Sequence, residues 1–302
     1  MAKQTVSRTA LGAAICRLIE QYQPEQTRLF YDPIAKELVG RPLQLLMRFA
    51  QIRNFTIKQT DAFAKGIYGA QVCRTRYIDD VVQSAIAQGM KQLVILGAGY
   101  DTRPYRLPKM EEVAVFEVDL PAVQGDKQQK LRKSLDRFPE HVSFIPIDFD
   151  IQTLESVFAG TTFSFAKPTI FIWEGVTQYI AAESVRRTLA FVSNSSPGSI
   201  LVFTYILQSI IERRSDIPGT DHLLDFVAQQ SPWLFGLEPS NIPDYLKPYR
   251  LTVIEDVGNE DYQARYLKPL GRNLIVFKGE RIVQAVIVSS TKGPFPIMRN
   301  GL

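Results

Sequence analysis

The stretch LVILGAGYDTRPYRLP, residues 93–108, constrains this chain more than any other. An apolar run, Leu93-Val94-Ile95-Leu96, meets Gly97-Ala98-Gly99, and an acid, Asp101, follows. A buried strand that feeds a tight Gly-rich turn is the opening of a nucleotide-binding α/β domain. In such sheets the ligand sits outside the carboxyl ends of the strands.

The turn departs from the dinucleotide fingerprint. G-x-G-x-x-G wants a third glycine, and the sixth position here is Thr102. Pro104 and Pro108 forbid a long helix aimed at a phosphate, and Asp101 would repel a pyrophosphate. A cofactor with a positive centre and no phosphate suits the turn better, which S-adenosylmethionine satisfies through its sulfonium and α-ammonium groups. The plain alternative is a structural glycine turn with no ligand.

Around this turn the chain reads as one α/β domain over residues 1–302. Residues 1–90 form a helical cap, with helical spacing over Arg8–Glu20, Leu43–Lys65 and Gln71–Gln88. Residues 91–205 form the cofactor-binding core. Its strands are expected at Gln92–Leu96, Val113–Asp119, Val142–Ile147, Thr169–Trp173 and Ser199–Tyr205. Helical patterns at Ala122–Phe138, Ile151–Phe158 and Ala182–Ser193 separate them, so a parallel sheet with helices on both faces is predicted. Residues 206–249, rich in Pro, Gly and aromatics, read as a lid insert. Residues 250–302 bring back two strands, Leu251–Asp256 and Arg281–Val288, with a helix near Glu260–Tyr266.

Composition narrows the function. Hydrophobic residues at 45% and charged residues at 22% are ordinary for a soluble enzyme, and a net charge of +4 with scattered basic residues gives nucleic-acid binding no support. No apolar run approaches the ~18 residues of a membrane span, and the N-terminus carries no apolar targeting segment. Two cysteines, Cys16 and Cys73, and two histidines, His141 and His222, argue against a zinc site or a disulfide framework. The expectation is a cytoplasmic, metal-free protein with a small-molecule partner and no membrane or nucleic-acid partner.

Three acids at strand ends sharpen the ligand. Asp119 lies 20 residues after Gly99, at the distance where a carboxylate accepts from a ribose diol, with Glu117 as the alternative on the same face. Asp148 ends the third strand, where it can accept from an adenine amino group. The Phe149 amide can then bond a ring nitrogen while its phenyl ring lies along the base. Each acid could instead cap the helix that follows it.

The ordered set RTRYIDDVV, LVILGAGYDTRPYRL, FEVDLP, IPIDF and WEGVTQYI resembles the leucine carboxyl methyltransferase family of S-adenosylmethionine-dependent O-methyltransferases. TRLFYDPIAKELVG and ERIVQA extend the resemblance over roughly residues 7 to 290. It implies that Arg74 holds the cofactor's methionyl carboxylate through its guanidinium fork and that Glu174 lies near the methionyl part. It also implies O-methylation of a small molecule such as a polyketide or other secondary metabolite. Methylation of a protein C-terminus, or cofactor binding without catalysis, are the alternatives. An NAD-dependent oxidoreductase is disfavoured by Asp101 and Thr102. The acceptor pocket is expected from Tyr179, Tyr205, Trp233 and Phe235, and His222 is the candidate base should the acceptor be a hydroxyl.

Overall fold

The structure, a computed structural model, describes residues 2–148, 151–229 and 231–289. Seven strands form one sheet: β1 (Gln92–Leu96), β2 (Ala114–Asp119), β3 (Val142–Pro146), β4 (Thr169–Trp173), β5 (Ile200–Ile206), β6 (Leu251–Val257) and β7 (Glu280–Ile287). Their order is β3-β2-β1-β4-β5-β7-β6. β1 to β5 are parallel, whereas β7 runs antiparallel to both β5 and β6. The five core strands are parallel as expected, and of the two late strands that return to the sheet β7 slots between β5 and β6 in the opposite direction, which makes the whole sheet mixed.

Strand periodicity explains the layering. Leu93 and Ile95 enter one apolar core while Val94 and Leu96 enter the other, so every residue of β1 is buried and residues 93–96 read as continuous apolar sequence. One face carries the helix Ile67–Ala87, through Val72, Ile78, Val82 and Ala85. The other carries Leu154–Phe158 and Ala182–Ser193, whose Phe158 and Phe191 pack around Phe116 and Phe171. Each such fully buried side chain contributes about 1.5–3 kcal/mol. Thr153 opens the helix Leu154–Phe158 with a capping box to Ser156, so the helix begins three residues later than the expected Ile151.

Two other helices differ from expectation. The pattern over 43–65 divides into Arg41–Leu46 and Ala50–Phe63, since Phe49 is extended and Arg53 donates to the Met47 and Arg48 carbonyls that end the first piece. The helix after β2 spans only Pro121–Leu131. Leu135 and Phe138 reach the core from the loop that follows instead, where Phe138 packs edge-on with Phe144, ring centroids 5.3 Å apart.

Three connections position the site. The helix Ala2–Glu20 is tied to the loop after β1 by Arg17, whose Nη2 donates to the Tyr100 carbonyl at 2.6 Å. The segment before β7 lies against the helix Ile67–Ala87 at Gly69, where a Cβ would fall 2.1 Å from the Ile275 carbonyl oxygen, so only glycine permits the approach. The insert leaves β5 and returns to it. Leu237 N donates to Ile206 O at 3.0 Å and Gln208 N to Leu237 O at 2.9 Å, which fixes the insert at the carboxyl edge of the sheet.

Candidate active site

The order β2-β1-β4 reverses direction at β1, and the crevice at the carboxyl ends of β1 and β4 is where an open α/β sheet takes its ligand. The Gly97–Gly99 turn forms one lip. Gly97 has φ +69°, and a Cβ there would fall 2.3 Å from Cγ2 of Val176. The two lips therefore close to contact only because residue 97 is glycine. Gly99 also has a positive φ, +46°, and faces Ala10 of the N-terminal helix.

Asp119, at the end of β2, reaches this turn directly. Its Oδ2 accepts the Gly99 N–H at 2.5 Å and its Oδ1 the Leu120 N–H at 2.6 Å. Burial raises the carboxyl's pKa while those two amide bonds oppose the rise. A carboxylate offers about four acceptor positions, so two remain for a diol. Glu117 is otherwise engaged, its carboxylate held by Lys127 at 2.7 Å and by the Tyr105 hydroxyl at 3.1 Å. Asp148 follows β3 with its amide donating to Gln152 Oε1 at 3.0 Å. Phe149 lies outside the described residues.

Beside the turn lies a buried ionic lattice. Arg74, inside the helix Ile67–Ala87, donates to Glu174 at 2.7 Å, to Glu280 at 2.6 Å and to Gln71 at 2.8 Å. Arg103 donates to Asp79 at 2.8 Å, to Asp101 at 2.6 Å and to the other Glu174 oxygen at 2.8 Å. Asp101 is thereby paired with a cation two residues on. Arg106 grips Asp79 with both terminal nitrogens, and Arg17 and Thr102 both donate to Asp32. Burial alone would raise the Glu174 carboxyl, yet Arg103 and Arg74 hold it down at about 2. Asp32 is likewise lowered, with Arg17 and Arg106 overcoming its burial. Counted as ions, five carboxylates (Asp32, Asp79, Asp101, Glu174, Glu280) share four guanidiniums (Arg17, Arg74, Arg103, Arg106).

Sequence reasoning missed Asp79, Arg103 and Glu280. Arg74 and Glu280 stand 206 residues apart, and no periodicity links them. The available signal was local: charges inside otherwise apolar runs, in YIDDVV and at the head of ERIVQA.

The expected acceptor residues fall in different surroundings. Tyr179 is half-buried in the turn Thr177–Tyr179 that follows Glu174. Gln178 in that turn accepts the Leu234 N–H at 2.6 Å, so the insert lies directly on it. Trp233, half-buried, packs on the first core, and its Nε1 has no hydrogen-bond partner among the described residues. Phe235 is buried in the second core, 6.1 Å from the Tyr245 ring. Tyr205 is fully buried in β5 and donates to Asp256 at 2.7 Å. His222 is exposed on the insert helix Thr220–Ala228, and His141 contacts the Pro104 carbonyl at 3.1 Å.

Comparison with known proteins gives the family. Residues 10–193 match the model of the leucine carboxyl methyltransferase family. The chain belongs to that family, and with it to the S-adenosylmethionine-dependent methyltransferases. YktD of Bacillus subtilis, classed as such a methyltransferase, is 27% identical over 265 residues, covering 87% of this chain and 83% of its own. SCO7813 of Streptomyces coelicolor, similarly classed, is 34% identical over 223 residues, covering 70% and 74%. A solved structure classed as a methyltransferase, from Thermobifida fusca, superposes with a TM-score of 0.55 at 15% identity, covering 80% of this chain and 90% of that one, a likeness of fold alone.

The residues present fit S-adenosylmethionine. Asp119 keeps acceptor capacity for a diol, and the lattice holds one carboxylate more than its guanidiniums. The cofactor's sulfonium, ammonium and carboxylate sum to one positive charge, which complements that surplus. Among the described residues no cluster of His, Cys, Asp and Glu could hold a metal ion.

Proposed function

We propose that this chain moves the methyl group of S-adenosylmethionine to an oxygen, carboxylate or hydroxyl, of a small molecule such as a polyketide or other secondary metabolite. The observation that carries the reading is Glu174 bridging Arg74 and Arg103 beside the Gly97–Gly99 turn, within a chain whose family is described by carboxyl methylation.

When bound, the cofactor supplies an electrophilic methyl group on a sulfonium. The protein's share is alignment. Asp119 fixes the ribose end through its unused acceptor positions, Arg74 addresses the carboxylate and Glu174 the ammonium. Because both side chains are pinned by the lattice, little ordering remains to be done on binding. Such positioning can supply about 7–11 kcal/mol of a displacement barrier. The N-terminal helix and the insert exclude water from the carboxyl edge, where it would compete with the acceptor oxygen. A carboxylate acceptor is already ionised and needs no base, whereas a hydroxyl would call on one, for which His222 is the candidate.

The test is transfer of a labelled methyl group from S-adenosylmethionine into fractionated extract. Label in small molecules supports the reading. Label in protein would favour C-terminal carboxyl methylation, and cofactor binding without transfer would favour a non-catalytic role.

A further inference from the structure

We propose that residues 41–60 form a surface that adheres to an anionic lipid bilayer. This stretch spans the helix Arg41–Leu46, the break after it and most of the helix Ala50–Phe63. Both helices already have a core side: Met47 is buried, and Leu43, Ile52 and Ile57 pack against the first core. Yet Leu45, Leu46, Phe49 and Phe55 are 54%, 47%, 60% and 60% exposed. Four large apolar side chains left in water within eleven residues are more than single surface hydrophobics, which need no explanation.

The charge around them has one sign. Arg41, Arg48, Arg53 and Lys58 fall in this stretch with no acid between residues 38 and 60, so twenty residues carry as much net charge as the whole chain. Arg41, Arg48 and Lys58 are exposed. Arg53 is half-buried over the Tyr22 ring, at 4.5 Å, and holds the break in place. The acids that flank the stretch are occupied: Glu37 lies 3.8 Å from Lys36, and Asp61 accepts the Gly66 N–H at 3.1 Å.

Exposed apolar side chains among basic ones match the boundary between anionic headgroups and acyl chains. A second copy of this chain fits worse, since a twofold interface would bring the same positive patch against itself. No described helix is long and apolar enough to span a membrane, and adhesion does not require one. The expectation of no membrane partner came from lacking a span, which leaves a surface of this kind open.

Co-sedimentation of the full chain with vesicles of phosphatidylcholine alone, and of phosphatidylcholine with phosphatidylglycerol, tests this. Binding is expected only to the anionic vesicles, weakening as salt screens the charges. The double change F49S/F55S should cut bound protein by about tenfold or more, and R48Q/K58Q should weaken binding and flatten its salt dependence. Melting temperature and cofactor affinity monitor the fold of both variants. If F49S/F55S does not fold, the charge variant and the two vesicle types decide. No sedimentation with anionic vesicles, or equal sedimentation of the neutral ones and the variants, overturns the proposal. So would a lipid-free dimer that F49S/F55S dissolves.

Discussion

Nε of Arg74 lies 2.7 Å from Oε1 of Glu174, joining a helix of the cap to the end of β4 across 100 residues of sequence. The same guanidinium reaches Glu280 at the head of β7, so one side chain binds three separate parts of the fold at the mouth of the crevice. Burial would lower its pKa, but Glu280 and Glu174 raise it, and the charge is permanent.

Arg74→Lys should therefore weaken S-adenosylmethionine binding and lower stability together. An ammonium cannot hold two carboxylates and an amide in one plane. Breaking a buried pair outright costs about 3–5 kcal/mol, and the lysine should lose a substantial part of that. Calorimetric titration checks the binding role with an analogue lacking the methionyl carboxylate, which should bind wild type and variant alike. A persisting difference would mean that Arg74 acts only through folding.

Glu174 gives stability a defined acid dependence. Its folded pKa, about 2, lies below the ordinary 4.5, so its contribution is complete above pH 4.5 and drains away as pH falls towards 2. At about pH 3 roughly 2 kcal/mol should have gone. Asp32, also lowered, acts in the same sense, whereas the raised Asp119 and Glu117 act in the opposite one. Denaturant unfolding of wild type and Glu174→Gln should show their difference shrinking between neutral pH and pH 3. A constant difference would mean that the carboxyl's charge contributes nothing.

Asp119→Ala should cost at least about 1.5 kcal/mol of cofactor binding, as expected for hydrogen bonds to a charged acceptor. It also removes the anchor of the Gly99 amide, so the turn itself should loosen. Hydrogen exchange at Gly99 separates these effects. Faster exchange with unchanged affinity would leave Asp119 a purely structural residue.

Trp233 and Phe235 should part company. Phe235→Ala opens a cavity in a packed core and should destabilise the fold by about 3–5 kcal/mol. Trp233→Ala, at a half-buried side chain whose indole N–H has no partner among the described residues, should leave cofactor affinity intact and raise the acceptor's KM. If acceptor kinetics do not change in Trp233→Ala, the insert is scaffold there and the pocket lies elsewhere.

Much of the fold was legible because β1, β2, β4 and β5 are buried on both faces. β1 and β4 coincide with their expected bounds to the residue, since each is a run of four apolar residues opened by one buried polar residue, Gln92 or Thr169. The reversal of β7 was not legible: an apolar strand reads the same in either direction, and its neighbours are chosen by the sheet. At the site, the glycines and Asp119 announced themselves by spacing, and the structure joins Gly99 to Asp119 by a hydrogen bond. The ionic lattice did not, because Asp79, Arg103 and Glu280 meet only through the fold and pair by proximity.

The most direct measurement is mass spectrometry of products formed from methyl-labelled S-adenosylmethionine and metabolite extract, with wild type and Asp119→Ala run in parallel. The expected result is a labelled methyl ester or ether of a small molecule, formed by wild type in the presence of chelator and strongly reduced in the variant. Label on nitrogen or carbon, label confined to protein, or no label from a chain that binds the cofactor would contradict transfer to a small-molecule oxygen.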